Sequence, residues 1–94
     1  IPVLPGAEKA ADEFLYTAAG QRNRNHTGPY VTFEDLPFAM EEVLFDPQTS
    51  GGLLLAAAPE DASALEAELQ AAGLPAKIVG EIVSKTEHEI TVKY

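Results

Sequence analysis

The sequence predicts an α+β domain in which helices are layered on a mixed sheet of three to four strands. Three observations indicate this class. Apolar residues recur at helical spacing near the N-terminus, a continuous apolar run begins at Leu53, and the C-terminal residues alternate between apolar and polar. A chain of 94 residues has room for one small domain, so residues 1–94 are predicted to form a single domain.

Three segments are predicted to be helical. The first runs from Pro5 to Ala18, with proline in its first turn and Gly20 as its stop signal. The second is a short helix from Phe38 to Phe45, and the third runs from Pro59 to Ala72, where Gly73 ends it. The apolar positions of the second helix are predicted to be Phe38, Met40, Val43 and Leu44.

Four segments are predicted to be strands. Tyr30 to Phe33 is β-branched and aromatic, and Leu53 to Ala57 is a continuous apolar run typical of a strand covered on both faces. Ala76 to Val83 is followed by a turn at Ser84 to His88 and by an alternating segment from Glu89 to Tyr94. We expect these last two strands to form a hairpin.

Composition and charge exclude several classes of protein. The chain has 15 acidic and 6 basic residues, for a formal net charge of −9, which argues against binding to nucleic acid or to an anionic membrane. No apolar run approaches the length of a membrane-spanning helix. The chain contains no cysteine, so it has neither disulfides nor thiolate metal sites, which fits a cytoplasmic protein.

The loop from Asp46 to Gly52 is the strongest candidate site. It combines a carboxylate, an amide, two hydroxyls and two glycines, in the side chains or backbone of Asp46, Gln48, Thr49, Ser50, Gly51 and Gly52. Glycines allow close approach of a ligand to the backbone, and amide N–H groups beside hydroxyls can bind an anion. The loop is not a Walker A motif, because no lysine follows. The alternative interpretation is a turn that feeds a buried strand.

The polar segment from Gln21 to Pro29, predicted to be a loop, is a weaker candidate. Arg22 and Asn23 could meet an anion there, and the alternative is a solvated surface loop that offsets the acidic charge. The two histidines, His26 and His88, are too far apart in sequence to predict a metal site. No catalytic residue is predicted from the sequence.

Four motifs in order carry a resemblance to a known family. The stretch Leu44–Leu54 reads Leu-Phe-Asp-Pro-Gln-Thr-Ser-Gly-Gly-Leu-Leu, and it resembles a signature near the end of the selenide, water dikinases (selenophosphate synthetases). Ile1–Ala7, Gln21–Asn23 and Val79–Val83 resemble other segments of that family in the same order. One departure is Ala18–Gly20, where family members often have Gly-Gly-Thr.

This resemblance implies a fold like that of the C-terminal domain of the aminoimidazole ribonucleotide synthetase superfamily, with residues 1–94 forming part of such a domain. It implies that the chain corresponds to about the last quarter of an enzyme that converts ATP, selenide and water to selenophosphate, phosphate and AMP. The implied partner is the N-terminal catalytic half of the same polypeptide, and the implied full-length enzyme uses magnesium and is a homodimer. The chain alone is then expected to be inactive, with its Asp46–Gly52 loop, Arg22 and Asn23 facing the nucleotide cleft.

Two other functions are open at this point. The chain would be a non-enzymatic ligand-binding or regulatory module of the α+β class if the loop were a plain turn. It would be part of a related kinase, such as a thiamine-phosphate kinase, if the resemblance were only to the wider superfamily. The quartet Thr49–Gly52 after Asp46 argues against this second alternative.

Overall fold

A computed structural model of the protein describes residues 1–93. Its helices and its small sheet confirm the α+β class. In chain order, the elements of residues 1–93 are α1 (Ala7–Asp12), α2 (Ala18–Thr27), a 3-10 turn (Gly28–Tyr30), β1 (Val31–Glu34), α3 (Phe38–Phe45), α4 (Pro59–Ala71) and β2 (Ile90–Lys93).

The chain divides into two compact units. The first unit comprises Val3–Thr49 together with the chain from Val83 onward, and the second comprises Ile1–Pro2 and Ser50–Ile82. In the first unit, α3 packs against both α1 and α2. Ala11, Ala39 and Phe45 are its buried apolar residues.

The two strands pair in parallel, not as a hairpin. Val31 aligns with Ile90 and Glu34 with Lys93, and the N–H of Glu89 donates to the carbonyl of Tyr30 at 3.1 Å. The prediction of a C-terminal hairpin is therefore wrong, and among residues 1–93 the sheet has two strands where three or four were expected. The reason is that β2 pairs with a strand far away in sequence, which local alternation does not reveal. Tyr94 lies outside the described residues.

Helix α1 is shorter than predicted because it ends in a Schellman motif without glycine. The N–H of Leu15 donates to the carbonyl of Ala10 at 2.9 Å, and that of Phe14 donates to the carbonyl of Ala11 at 3.0 Å. Phe14 takes the left-handed conformation, with φ of 61°. A bulky residue rarely occupies this region, so the sequence carries no visible stop signal there.

The segment predicted as a polar loop is helix α2. Thr17 is its N-cap in an extended conformation, and the threonine hydroxyl accepts a hydrogen bond from the N–H of Gly20 at 3.0 Å. Gly20, predicted to end the preceding helix, lies instead in the first turn of this one. The loop prediction for Gln21–Pro29 is wrong because polar composition was taken as the signal, whereas polar side chains here bind α3.

The two other helical predictions are confirmed. α3 begins and ends at the predicted residues, Phe38 and Phe45. α4 begins at Pro59, and Gly73, with φ of 82°, ends it as predicted. The buried positions of α3 differ from those predicted: they are Ala39, Glu42 and Phe45.

The predicted strands Leu53–Ala57 and Ala76–Val83 are not formed. Leu53 is 87% exposed and Ile82 is 86% exposed, so neither segment is covered by other parts of the described chain. Both predictions are wrong for one physical reason: a strand needs a hydrogen-bonded neighbour, and within residues 1–93 none pairs with either segment. Two strand predictions are confirmed: the strand near Tyr30–Phe33 is β1, and the segment from Glu89 onward contains β2, Ile90–Lys93.

Candidate functional site

The Asp46–Gly52 loop directly follows α3. Asp46 is the C-cap residue of that helix and is half-buried, whereas the residues after it are exposed. Ser50 takes a left-handed conformation with φ of 63°, and a Cβ added at Gly52 would meet no atom within 4 Å. The backbone and hydroxyls of Thr49 and Ser50 are therefore open to solvent and available to a ligand.

The carboxylate of Asp46 is held from two directions. The hydroxyl of Thr17 donates to Oδ1 of Asp46 at 3.1 Å, and Nε2 of Gln48 donates to Oδ2 at 3.4 Å. Thr17 is also the N-cap of α2, so the carboxylate lies beside the start of a helix, where a negative charge is favourable. The structure thus joins two predicted site residues, Asp46 and Gln48, through one hydrogen-bonded group.

Helix α2 closely approaches the end of α3. Nδ2 of Asn23 donates to the carbonyl of Phe45 at 2.9 Å, which satisfies a carbonyl in the last turn of α3. A Cβ added at Gly20 would lie 3.7 Å from the same carbonyl oxygen and 3.8 Å from Cα of Asp46. Asn23 therefore anchors the helix that precedes the loop, while Arg22 is exposed and belongs to no ion pair within residues 1–93.

A buried ionic cluster joins α2 to α3 one turn further along. Nη1 of Arg24 lies 2.9 Å from Oε2 of Glu41, and Nε of Arg24 lies 2.7 Å from Oε1 of Glu42. The side chain of Glu42 is 1% exposed and that of Arg24 is 24% exposed. Nε2 of Gln21 donates to the other oxygen of Glu42. A buried carboxylate requires such partners, because its desolvation is otherwise very costly.

Two aromatic rings enclose the guanidinium of Arg24. Its central carbon lies 4.9 Å from the ring centroid of Phe38 and 4.8 Å from that of Phe45. Phe45 in turn makes an edge-to-face contact with Phe33 of β1, at 5.5 Å between centroids. The N–H at Nε is not aligned with Glu42, so this contact is an ion pair without a hydrogen bond, and Nη2 is buried without a partner among the described residues.

This cluster was missed by the sequence-based predictions. Glu41 and Glu42 were not among the predicted site residues, because adjacent residues on a helix point in different directions. The available signal was spacing: Ala39, Glu42 and Phe45 recur every three residues and form the buried stripe of α3. A carboxylate within such a stripe needs a cation, and Arg24 was the candidate in the preceding polar segment.

Other site types are not formed by the described chain. Within residues 1–93, no group of three or more His, Asp or Glu side chains is placed to hold a metal ion. The helices of this part of the chain are too short or too polar to cross a membrane. A shallow depression in the first unit is lined by residues of α1 and the start of α3, namely Glu8, Lys9, Asp12, Pro37 and Ala39. It includes none of the predicted site residues.

The groups exposed at this loop are suited to binding an anion, and no catalytic arrangement is formed among residues 1–93. The loop offers exposed hydroxyls and backbone N–H groups, which suit an anion such as a phosphate. Its one carboxylate, on Asp46, is occupied by hydrogen bonds from Thr17 and Gln48. Chemistry at this loop would require reactive groups from elsewhere.

Comparison with known proteins gives a consistent result. The family described as "AIR synthase related protein, C-terminal domain" matches residues 4–93. The chain is 58% identical over 93 residues to a selenide, water dikinase of Agathobacter rectalis, a match that covers 98% of this chain and 27% of the relative. It is 44% identical over 85 residues to a selenide, water dikinase of Desulfitobacterium hafniense, covering 90% of this chain and 25% of the relative.

A third relative is the selenide, water dikinase of Treponema denticola, which is 37% identical over 98 residues, covering 98% of this chain and 27% of that protein. The chain thus spans about a quarter of the length of the curated relatives that it matches. No solved structure is a significant match to the chain.

Proposed function

The chain belongs to the family of the C-terminal domain of AIR synthase related proteins, and we propose that it is a C-terminal fragment of a selenide, water dikinase. In this proposal the complete enzyme makes selenophosphate from ATP, selenide and water, and releases phosphate and AMP. The observation that carries the proposal is the 58% identity to a protein of that name over 98% of this chain.

The domain contributes one wall of the nucleotide cleft and depends on the rest of the enzyme for chemistry. Phosphoryl transfer requires that substrates are positioned and that phosphate charge is neutralised by metal ions and cationic groups. Within residues 1–93 no cluster of acidic or histidine side chains fits a magnesium ion, so the proposal assigns the magnesium ligands to the remainder of the polypeptide. The Asp46–Gly52 loop faces the bound ATP.

The proposal extends to the assembly and its location. The partner of this domain is the N-terminal catalytic part of the same polypeptide, and the enzyme acts as a homodimer in the cytoplasm. Support for the partner comes from the matched relatives, of which this chain covers only about a quarter.

A chimeric enzyme tests the proposal. The matching segment of the Agathobacter rectalis relative is replaced by this chain, and AMP formation from ATP is measured with and without selenide. We expect selenide-dependent AMP formation by the chimera, because the chain is 58% identical to the segment that it replaces. The isolated chain and the relative lacking the segment serve as controls, and both are expected to be inactive.

Two results would contradict the proposal. A folded chimera that forms no AMP, while the unaltered relative does, would show that this chain does not serve as the domain of such an enzyme. Turnover by the isolated chain would show that its activity does not depend on the remainder of the polypeptide.

A further inference from the structure

Thr17 was not among the predicted site residues, yet its hydroxyl makes two hydrogen bonds that meet at the loop. It accepts from the N–H of Gly20 at 3.0 Å and donates to Oδ1 of Asp46 at 3.1 Å. A hydroxyl can do both at once because it has one proton and two lone pairs. The first turn of α2 and the first residue of the loop are thus joined through a single oxygen atom.

The surrounding contacts keep these two segments close. The carbonyl of Phe45, which immediately precedes the loop, accepts a hydrogen bond from Asn23 at 2.9 Å. Gly20 leaves only ordinary contact distance between α2 and the end of α3, since an added Cβ would lie 3.7 Å from the carbonyl oxygen of Phe45 and 3.8 Å from Cα of Asp46. These contacts fix the last turn of α3, and the hydrogen bond from the hydroxyl of Thr17 also fixes Asp46, the residue that follows it.

We propose that Thr17 is a positioning residue for ATP binding: its hydroxyl holds Asp46, and through Asp46 the turn with Gln48, in the conformation that meets the nucleotide. This inference rests on the proposed function, in which the Asp46–Gly52 loop faces ATP. Gln48 also donates to Asp46, at 3.4 Å, so the fixed carboxylate orders the third residue of the loop as well as the first.

The inference predicts which kinetic constant changes. A loop that is already ordered binds its ligand without a further loss of conformational entropy, so releasing the loop weakens ligand binding. A hydrogen bond to a charged group accounts for about tenfold in affinity. Releasing Asp46 should therefore raise KM for ATP by about tenfold and leave KM for selenide unchanged.

The test uses the chimeric enzyme with Thr17→Val, which keeps the shape of the side chain but can neither donate nor accept. Thr17→Ser restores the hydroxyl and should return KM for ATP to within about twofold of the parent value. Thr27→Val is the matched control at the other end of α2, where the hydroxyl donates within the helix to the carbonyl of Asn23, at 2.9 Å. It should leave both KM values unchanged.

Several outcomes would overturn the inference. A fall in kcat with both KM values unchanged would mean that Thr17 only stabilises the fold, since loss of folded enzyme does not alter KM. Equal kinetics for Thr17→Val and Thr27→Val would show that the bond to Asp46 has no role. If Thr17→Val does not fold, Asp46→Ala keeps the helix cap at Gly20 and removes the bonds that the carboxylate accepts from Thr17 and Gln48. An unchanged KM for ATP in that variant refutes the inference.

The two proposals fail in different ways. A parent chimera without selenide-dependent AMP formation defeats the proposed function before any variant is measured. An active parent chimera whose KM for ATP is insensitive to Thr17→Val defeats the positioning role alone.

Discussion

The two compact units use their apolar residues in opposite ways. In the first unit, Phe45 and Ala39 are 7% and 6% exposed, and both lie in α3, which packs against α1 and α2. In the second unit, Leu53 and Leu54 are 87% and 85% exposed, and α4 contains no buried residue. Hydropathy alone does not distinguish these segments. Only the first unit contains residues that are buried within the described chain.

The difference shows what each unit depends on. α4 is specified by local signals, with Pro59 in its first turn and Gly73 at its end, and such signals act without tertiary contacts. α2 is the reverse case, because its polar sequence becomes ordered through contacts with α3. The cluster of Arg24 and Glu42, which joins these two helices, should therefore contribute most to the stability of the first unit.

The largest expected loss of stability follows from Glu42→Ala. The variant leaves Arg24 between two rings without its most buried partner, and breaking a buried ion pair costs about 3 to 5 kcal/mol. We expect about 3 kcal/mol, at the lower end of that range, because Arg24 is partly exposed and keeps Glu41. Urea denaturation gives the free energy of unfolding.

The matched control is Glu13→Ala, which removes an exposed ion pair with Lys9 at 3.8 Å. Exposed pairs contribute little, so the control should change the free energy of unfolding by less than about 0.5 kcal/mol. Equal losses in the two variants would show that the Glu42 cluster does not stabilise the first unit.

An intermediate loss is expected from Arg24→Lys. Lysine keeps the positive charge but lacks the planar guanidinium that lies between Phe38 and Phe45 and reaches both glutamates. We expect a loss of about 1 to 2 kcal/mol, between the values typical of an exposed and of a desolvated cation–π contact, because the side chain of Arg24 is 24% exposed. Arg22→Lys on the exposed side of α2 is the control and should have no measurable effect, whereas similar losses at both positions would argue against a role for the rings.

Local signals explain which elements were predictable. α3 and α4 carry their own boundaries, with proline at the start of both and Gly73 after the second, and both were predicted from the sequence. The end of α1 was not predictable because Phe14, not glycine, takes the left-handed position. The position of β2 was predicted correctly within the described residues. Its pairing partner was not, because parallel pairing with β1 depends on tertiary structure.

The residues of the candidate loop could be predicted from the sequence, but the hydrogen bonds that join the loop to α2 could not. The sequence indicated the Asp46–Gly52 loop and a polar segment with Asn23, and the structure places Asn23 against the helix that precedes the loop. It did not indicate Thr17, because one hydroxyl at a predicted helix interior carries no pattern. The bond between Thr17 and Asp46 spans 29 residues of sequence, which no local spacing rule detects.

The smallest expected effect belongs to the second unit. Leu54→Ala removes apolar atoms that are already 85% exposed, so the chain loses almost no burial. The free energy of unfolding should change by less than about 0.5 kcal/mol, as for surface substitutions in general. Leu44→Ala is the matched variant in α3, where the side chain is half-buried, and it should cost about 1 kcal/mol from lost burial. If Leu54→Ala costs as much as Leu44→Ala, the second unit buries its apolar run after all, and the contrast between the two units does not hold.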